Sequence, residues 1–411
     1  MIRGVAIRPA VTNLAHLECS SCAATYDVAL RNLCPKCERP LLARYDLAAV
    51  RPEDLLPRGD LWRYLPLLPV ESVEKAFPLG EGGTPLLRCG NLERAVGVRE
   101  VYVKDEARNP TGTFKARGMA VAVPMAKVLG ATRVAVPSAG NAGSAMAAYA
   151  AKAGMEALVL MPRDTPIEIV RETAAFPARL FFVDGLITDA AALVKEAAQK
   201  LGYFNVATLQ EPYRVEGKKT MGFELWEQLG GLPDWVVFPT GGGTGVVGLW
   251  KAFEELRTLG WHEGPPPKIA FVQAAGCAPL VRAFQEGRED AREWKDAKTV
   301  AAGLRVPRAI ADRLVLKATR ASGGRGVAVS DEAMIGATAE LARKEGIHAC
   351  FEGGATLAAL KSLVVDGHVE KDDRVVLFNT GSGLKNPRSA VGAKVASVRS
   401  YAELRKRLRA E

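Results

Sequence analysis

Short apolar runs alternate with helical stretches over most of the chain from Val98 onward. The runs that predict buried strands are Val134–Val136, Ala157–Leu160, Leu180–Val183, Trp235–Phe238, Lys268–Val272, Val327–Val329 and Arg374–Phe378. The segments that predict helices are Ser144–Ala153, Pro166–Ala175, Thr188–Leu201, Val246–Leu259, Asp331–Lys344 and Ala355–Leu363. Strands that alternate with helices of this length predict an α/β fold, in which helices cover both faces of parallel sheets.

Three shorter segments refine this pattern. Arg51–Leu79 is rich in Pro and Leu and predicts a linker that lies over the following domain. The tail Ser397–Glu411 is highly charged and predicts a terminal helix. Asp164-Thr165-Pro166 is typical of a helix start, because a polar capping residue precedes a proline at the first helical position.

Composition and charge exclude several classes of protein. The chain has 411 residues, of which 48% are hydrophobic and 25% charged, so that most of it has enough apolar surface to fold. No apolar run approaches the roughly 18 residues of a membrane helix, and Met1–Leu17 lacks the apolar core of a secretory signal. We therefore expect a cytoplasmic protein without a membrane partner. The formal charge of +9 favours anionic small molecules and, more weakly, nucleic acid.

Four of the seven cysteines lie in two close pairs, Cys19-Ser-Ser-Cys22 and Cys34-Pro-Lys-Cys37. Two such pairs predict one tetrahedral zinc held by four thiolates, which is a structural site because no coordination position stays open. The segment is too small for its own core, so the metal would supply much of its folding free energy. A metal-free site and two local disulfides are the alternatives, and a reducing compartment disfavours the disulfides. We expect the remaining cysteines to be core residues: Cys89, Cys277 and Cys350.

Three predicted strands each lead into a glycine-rich turn, at Ser138–Gly143, Gly241–Gly245 and Gly381–Gly383. Ligands of open parallel sheets bind beyond the carboxyl ends of the strands, so the three turns predict one functional rim. The middle turn is the best anion site, because its backbone N–H groups can point inward and the following helix contributes its positive N-terminal end. We predict a bound phosphate there, held by Gly241, Gly242, Gly243, Thr244 and Gly245.

The same turn contains Gly243-Thr-Gly245-Val-Val-Gly248, which formally matches a dinucleotide-binding motif. That motif requires an acidic residue at the end of the next strand, whereas the predicted strand Lys268–Val272 is followed by Gln273. A nicotinamide cofactor is therefore disfavoured. The P-loop, zinc-protease and serine-hydrolase motifs are also absent. A phosphate-bearing cofactor without nucleotide recognition remains as the prediction.

The segment Asn109–Gly118 contains a candidate for attaching such a cofactor. Its first residues predict a turn, Thr113 can cap the following helix, and Lys115 then lies in the first helical turn. A cation in this position is electrostatically unfavourable, and a Schiff base on the amine would relieve part of the conflict. On charge alone, a solvated surface lysine is the commoner interpretation.

Taken together, these motifs resemble the fold-type II pyridoxal phosphate enzymes, the tryptophan synthase β-like group, and within it the threonine synthases. The resemblance runs from about Glu81 to Lys385. The motifs that carry it are Glu81-Gly-Gly-Thr-Pro-Leu86, Thr111-Gly-Thr-Phe-Lys115, Ser138-Ala-Gly-Asn141, Tyr213–Thr220, the glycine turn and Thr380-Gly-Ser-Gly-Leu-Lys385.

The resemblance implies two open α/β domains with mostly parallel sheets and the cofactor in the cleft between them, preceded by a small zinc-ribbon-like segment. The implied division is a ribbon at 1–50, a large pyridoxal phosphate-binding domain at 51–125 and 215–395, a small domain at 126–214, and a charged helix at 396–411. Relatives of this kind also imply a homodimer.

The resemblance further implies a role for each cofactor-binding residue. Lys115 would hold pyridoxal phosphate as a Schiff base and then transfer protons, which suits a desolvated lysine near cations because its pKa is lowered. Asn141 would bind the phenolic oxygen of the ring, and Thr380 would meet the pyridine nitrogen. The glycine turn would cradle the cofactor phosphate.

For the substrate, the resemblance implies two contacts. Ser138, Ala139 and Gly140 would surround its carboxylate together with Asn141. Arg214 would contact a substrate phosphate, for which a bidentate guanidinium is suited. A surface salt bridge is the alternative role for Arg214. Ala142 and Leu209 depart from the family, which more often has hydroxyl residues there.

Three functions stay open at this point. A threonine synthase would convert O-phosphohomoserine and water into threonine and phosphate. A serine/threonine dehydratase, or a related β-eliminating or β-replacing enzyme, would need no site for a substrate phosphate. A nucleic-acid-binding protein would need basic and aromatic residues around the cysteine pairs. That segment offers only Arg31, Lys36, Arg39 and Tyr26, so we expect no nucleic-acid partner.

Overall fold

The fold contains three β-sheets and twelve α-helices within the residues that a computed structural model describes, 12–385 and 397–408. The strands are β1 Leu14–Cys19, β2 Thr25–Tyr26, β3 Leu41–Tyr45, β4 Leu86–Arg88, β5 Glu100–Asp105, β6 Arg133–Pro137, β7 Glu156–Pro162, β8 Ala178–Val183, β9 Phe204–Asn205, β10 Trp235–Pro239, β11 Lys268–Ala274, β12 Arg325–Val329 and β13 Arg374–Asn379. The helices are α1 Gly90–Val96, α2 Lys115–Val128, α3 Asn141–Ala153, α4 Ile167–Ala174, α5 Ile187–Leu201, α6 Arg214–Leu229, α7 Thr244–Thr258, α8 Pro279–Gln285, α9 Asp312–Ala321, α10 Asp331–Glu345, α11 Phe351–Val365 and α12 Tyr401–Leu408.

The largest sheet has the order β12-β11-β10-β13-β5-β4. All neighbours in it are parallel except β4, which pairs antiparallel with β5 at the edge. Strands β10 and β13 lie side by side, with Val237 opposite Leu377. The turns that follow these two strands therefore leave the sheet at the same edge.

A second sheet, of order β8-β7-β6-β9, is parallel throughout. Its strands lie between Arg133 and Asn205, inside the segment assigned to the small domain. The predicted α/β class with mostly parallel sheets is thus confirmed, whereas the exact domain boundaries stay a prediction. None of the described helices is both long and apolar enough to span a lipid bilayer.

Every predicted strand and helix of the α/β region is present, with ends that differ by a few residues. The proline start of α4 was placed wrongly, because Pro166 is the capping residue and the helix begins at Ile167. The hydroxyl of Thr165 is engaged elsewhere, since it donates to the Pro162 carbonyl at 2.7 Å. Phe114 is the capping residue of α2, although Thr113 Oγ1 accepts a hydrogen bond from the Lys115 N–H at 3.3 Å.

The linker Arg51–Leu79 covers the α/β core as predicted. Leu61, Trp62 and Leu65 are buried in one cluster with the apolar face of α2. The Trp62 Nε1 donates to Glu81 at 2.6 Å, which ties the linker to the start of the next segment. At the other end of the chain, the predicted charged helix is seen as α12, and residues 396 and 409–411 lie outside the described residues.

A buried ionic network joins α2, α6 and the turn after β5. Arg117 is fully buried, and its guanidinium donates to Glu106 at 2.6 and 2.8 Å and to Glu224 at 2.6 and 2.7 Å. Lys104 donates to Glu224 at 2.7 Å. Burial alone would raise the pKa of Glu224, but the charges of Arg117 and Lys104 hold that pKa below its usual range. Glu224 and its two cations therefore contribute stability at pH values above the unfolded-state pKa of about 4.3. The contribution is lost as the pH falls toward the lower folded-state pKa of Glu224.

Replacing Arg117 should be strongly destabilising. Arg117→Met leaves the buried Glu106 carboxylate without its cation and Glu224 with Lys104 alone, and we expect a loss of about 3–5 kcal/mol in the free energy of unfolding, measured by urea denaturation. Arg163→Met is the matched control, because Arg163 pairs with Asp184 on the exposed surface. The control should change stability by less than about 1 kcal/mol. Equal effects of the two substitutions would contradict the structural role of Arg117.

Candidate active site

A narrow pocket of about 40 Å³ lies at the carboxyl edge of the large sheet. The turn after β10, the turn after β13 and the start of α2 all contribute to its walls. The residues of the glycine turn that line it are Gly241, Gly242, Gly243, Thr244 and Gly245. Three segments that lie far apart in sequence thus meet where the parallel sheet leaves its strand ends open.

Close packing explains why the turn after β10 is built from glycine. A Cβ on Gly241 would lie 2.2 Å from the carbonyl oxygen of Gly303, and Gly243 has a φ of +89° that side chains rarely adopt. The turn leads directly into α7, whose first backbone N–H groups have no partner within the helix. The result is a backbone-lined cradle with a positive helix end, which suits a phosphate.

Lys115 is the first residue of α2 and lines the narrow pocket. Its side chain is half-buried, and its Nζ lies 4.6 Å from the ring centroid of Phe114. Burial and, second, the charge of Arg214 lower the pKa of Lys115 to about 8, and the carboxylate of Glu352 opposes this shift. The solvated surface lysine is therefore excluded, and the amine is partly neutral close to physiological pH.

Asn141 and Thr380 lie on the same pocket from two other elements. Asn141 is the first residue of α3, and its Oδ1 is buried without a hydrogen-bond partner among the described residues. Thr380 follows β13 and is 6% exposed. A buried acceptor without a partner is costly in a folded protein, so the Asn141 side chain is suited to a bound polar group.

The narrow pocket borders a wider cleft of about 500 Å³. Lys115, Asn141 and Glu352 line both cavities, so the Lys115 amine stands at the junction between them. The far wall of the cleft is contributed by the small sheet and its helices, including α5. Besides Lys115, four basic side chains line the cleft: Lys195, Arg305, Arg308 and Lys385.

The residues predicted to bind substrate fall into two groups. Ser138, Ala139 and Gly140 form a loop that lines the cleft, and the Ser138 hydroxyl accepts hydrogen bonds from the N–H groups of Gly140 and Gly143 at 3.2 and 2.9 Å. Arg214 is fully buried behind the cleft and is not among the residues that line it. Its Nη1 donates to the Val206 carbonyl at 2.9 Å, whereas its Nε and Nη2 have no partner among the described residues.

Two residues of the site were not assigned to it from the sequence. Cys350 and Glu352 line both cavities, and Glu352 is the only acidic residue among the described residues lining them. The Glu352 Oε1 accepts from the Gly303 N–H at 2.8 Å. Both were missed because the predicted helix began at Ala355, whereas α11 begins at Phe351. Glu352, three positions before Ala355, was an available signal, because acidic side chains favour the first helical turn.

Comparison with known proteins assigns this geometry to a family. A family model described as pyridoxal-phosphate dependent enzyme matches residues 77–381. The threonine synthase of Methanocaldococcus jannaschii is 36% identical over 91% of this chain and 94% of its own, and that of Methanosarcina acetivorans is 35% identical over 92% and 93%. The chain belongs to the pyridoxal-phosphate dependent enzymes and, within them, to the threonine synthase family.

Solved structures of this enzyme class share the fold. Maize serine racemase has a TM-score of 0.64 at 19% identity, over 80% of this chain and 92% of its own. The processed threonine deaminase isoform 2 of Solanum lycopersicum has a TM-score of 0.62 at 20% identity, over 79% and 82%. At these identities the likeness establishes the fold alone, which is that of the fold-type II enzymes.

The pocket fits the cofactor of the family in three respects. It offers a glycine cradle that Cβ atoms would fill, an amine with a lowered pKa, and a buried amide oxygen that lacks a partner. These are the groups that a phosphate, an aldehyde and a ring hydroxyl need. A pyridoxal phosphate-dependent lyase of amino-acid biosynthesis is therefore consistent with both the sequence family and the pocket.

The four clustered cysteines line neither cavity and lie next to the antiparallel sheet β2-β1-β3, where Cys19 is the last residue of β1. The Sγ atoms of Cys19, Cys22, Cys34 and Cys37 all lie within 4.8 Å of one another. All seven cysteines are free thiols, so the two local disulfides are excluded. The segment also touches the site region, because Asn32 Nδ2 donates to the carbonyls of Asn205 and Gln210 at 2.9 and 2.8 Å.

The lowered pKa of Lys115 predicts how the protein takes up its cofactor. Only the neutral amine attacks an aldehyde, so the rate of yellow-colour formation by apo-protein mixed with pyridoxal phosphate should rise with pH. We expect a midpoint near 8, well below the usual lysine value of about 10.4. Stopped-flow absorbance between about pH 6.5 and 10 measures it. Lys115→Ala should keep no pyridoxyl group on α2 after borohydride reduction, and a midpoint near that of a free lysine would contradict the assignment.

Proposed function

We propose that this chain converts O-phosphohomoserine and water into threonine and phosphate. The observation that carries the proposal is the position of the Lys115 amine, which lines both the glycine-cradled pocket and the cationic cleft. The residues that line the two cavities suit the phosphate of a cofactor and an anionic amino-acid substrate, respectively. The threonine synthases that match over nearly their whole length support the same reaction.

In this proposal the pocket residues hold and orient the cofactor. Pyridoxal phosphate, when bound, supplies the electron sink that stabilises negative charge next to the substrate amino group. The backbone of Gly241–Gly245 would hold its phosphate, Asn141 would hydrogen-bond its ring hydroxyl through Oδ1, and Thr380 would hold its pyridine nitrogen. A hydroxyl at Thr380 leaves that nitrogen largely unprotonated, which moderates the electron sink.

Lys115 has two functions in this proposal. It anchors the cofactor until substrate displaces it, and its freed Nζ then moves protons to and from the substrate carbons. Because its pKa is about 8, the amine can both accept and release a proton near neutral pH. Acid–base catalysis of this kind contributes roughly 10²–10⁴-fold in rate.

The substrate end of the proposal depends on charge. The backbone of Ser138–Gly140 binds the substrate carboxylate. Arg214 lies behind the cleft, and its buried Nε and Nη2 have no partner among the described residues, so in this proposal its positive charge stabilises the substrate phosphate across the cleft wall without direct contact. Burial lowers the pKa of Arg214 to about 10, so it still carries its charge at neutral pH. The cations along the cleft attract a doubly charged substrate toward this position.

A serine/threonine dehydratase is the second candidate. One observation favours it: Leu209, 1% exposed, stands where the family resemblance suggests a hydroxyl for the substrate phosphate. A dehydratase needs no such group, because its substrates carry no phosphate.

Substrate turnover separates the two candidates. Purified holoenzyme should release inorganic phosphate and form threonine from O-phosphohomoserine, with much slower release of 2-oxoacid from threonine or serine. Phosphate and 2-oxoacid assays on the three compounds measure this. Arg214→Met should lower kcat/KM for O-phosphohomoserine by about 10–100-fold, because the positive charge behind the cleft is lost. Rapid 2-oxoacid release together with no phosphate release would identify a dehydratase.

We also propose that the four cysteines hold one structural zinc ion. The support is the close approach of their sulfurs, with Cys19 and Cys34 buried and 3.4–3.7 Å between neighbouring Sγ atoms. Four thiolates at this separation repel one another unless a cation lies between them. The homodimer and the cytoplasmic location stay predictions.

Metal removal tests the zinc proposal. Elemental analysis should find one zinc per chain in protein purified without chelators. Cys34→Ala should lose the metal and make residues 14–45 sensitive to protease, because the small sheet has little core of its own. Cys277→Ala is the control and should keep the metal, since Cys277 is buried in another part of the fold. Protein that contains no zinc and binds none when it is added would contradict the proposal.

A further inference from the structure

Lys218 is a fully buried lysine that forms no ion pair with the described carboxylates. Of the other cations in the described core with similar burial, Lys104, Arg117, Lys219 and Lys251 each have a carboxylate within ion-pair distance, whereas Arg214 has none. No described carboxylate lies within that distance of Lys218. Burying a cation without a partner costs free energy. An unpaired buried lysine is therefore a candidate functional residue.

The Lys218 amine is aimed at the residue that precedes Lys115. Its Nζ donates a hydrogen bond to the carbonyl oxygen of Phe114 and lies 3.8 Å from the centroid of the Phe114 ring. The Nζ of Lys115 lies 4.6 Å from the same centroid. The two amines therefore contact one aromatic ring at the start of α2.

The peptide unit around Phe114 is held on both sides. Its N–H donates to the carbonyl of Thr380 at 3.0 Å, and its carbonyl accepts from Lys218. The Phe114 side chain itself makes no capping hydrogen bond, and Thr113 Oγ1 accepts from the Lys115 N–H at 3.3 Å. The two hydrogen bonds of the Phe114 peptide unit thus contribute to the direction in which the helix, and with it Lys115, leaves the turn.

Neighbouring glycines leave room for the Lys218 side chain in one position. A Cβ on Gly118 would lie 3.2 Å from Lys218 Cε, and a Cβ on Gly248 would lie 2.6 Å from Lys218 Cβ. Helices α2 and α7 therefore enclose the stem of Lys218 from two sides. The amine has little freedom to turn away from the Phe114 carbonyl.

The surroundings of Lys218 disfavour the protonated form of its amine. Burial, followed by the positive charges of Lys115 and Arg214, holds the pKa of Lys218 well below its usual value. Arg117 acts in the same direction, and Glu106 opposes them. A neutral amine donates to the carbonyl without adding a second positive charge beside Lys115.

We propose that Lys218 is a positioning residue that orients Lys115 toward the cofactor by holding the Phe114 carbonyl. The inference rests on the proposed role of Lys115 in holding pyridoxal phosphate. It concerns one step, in which the Lys115 amine condenses with the cofactor aldehyde, a C=N bond replaces C=O, and one water leaves. Binding of the cofactor phosphate by the glycine cradle does not involve Lys218.

The test separates these two steps in apo-protein mixed with pyridoxal phosphate, without any amino-acid substrate. Fluorescence quenching reports the first association, and the amount of pyridoxyl group that stays covalently attached after borohydride reduction, measured by mass spectrometry, reports the covalent step. In Lys218→Met, association should stay within about twofold of the parent, and the covalent step should slow about tenfold or more, because a misdirected nucleophile reacts slowly. An unchanged covalent step, or an equal loss in both steps, would overturn the proposal.

Lys219→Met is the matched control. Lys219 is the next residue of α6 and equally buried, but its amine pairs with Glu216 and Glu255. The variant should melt at a lower temperature than the parent and keep the parent rate of the covalent step. A slower covalent step in this control would show a general effect of destabilisation and overturn the assignment to Lys218.

Gly118→Ala provides a second test if Lys218→Met fails to fold. The added methyl would lie 3.1 Å from the Arg214 carbonyl oxygen and 3.2 Å from Lys218 Cε, so it presses on the Lys218 side chain without removing its amine. It should slow the covalent step severalfold with association unchanged, and a parent-like rate would then overturn the proposal. Because no substrate is used, these results are independent of whether the enzyme acts on O-phosphohomoserine.

Discussion

The buried guanidinium of Arg117 is the interaction on which the site depends most. It lies two residues after Lys115 and donates to Glu106 and Glu224 from both sides. Charges without water are stable only when their partners stay in place, so this network permits one arrangement of α2, α6 and the turn after β5. Through α2 it also determines where the Lys115 amine enters the cleft.

The cofactor pocket is built mainly from backbone. The parallel pairing of β10 with β13 brings the glycine turn and Thr380 to one edge, and Thr113 forms a β-bridge with Gly381 that adds the Lys115 turn. A phosphate bound by N–H groups at the start of α7 needs no charged side chain. The charged side chains of the site can therefore act on the Lys115 amine and on the substrate.

Several motifs that carried the family resemblance turn out to stabilise the site from outside. Glu81 accepts hydrogen bonds from Trp62 and Tyr149, each at 2.6 Å, and lines neither cavity. Glu216, in the Tyr213–Thr220 motif, pairs with Lys219 and Lys251. A family motif can therefore mark a buried polar contact that stabilises the fold, as well as a residue that takes part in the reaction.

The sequence by itself determined the features that depend on neighbouring residues. The strands follow from apolar runs, the phosphate cradle from four glycines within five residues, and the thiol cluster from two close cysteine pairs. The tertiary structure alone decided that Lys218 reaches Phe114 and that Arg214 lies behind the cleft. It also decided that Cys350 and Glu352 face the cofactor pocket. Those assignments depend on burial and on contacts between distant segments, and a lysine or arginine has the same local pattern on a helix whether its charge lies in water or in the core.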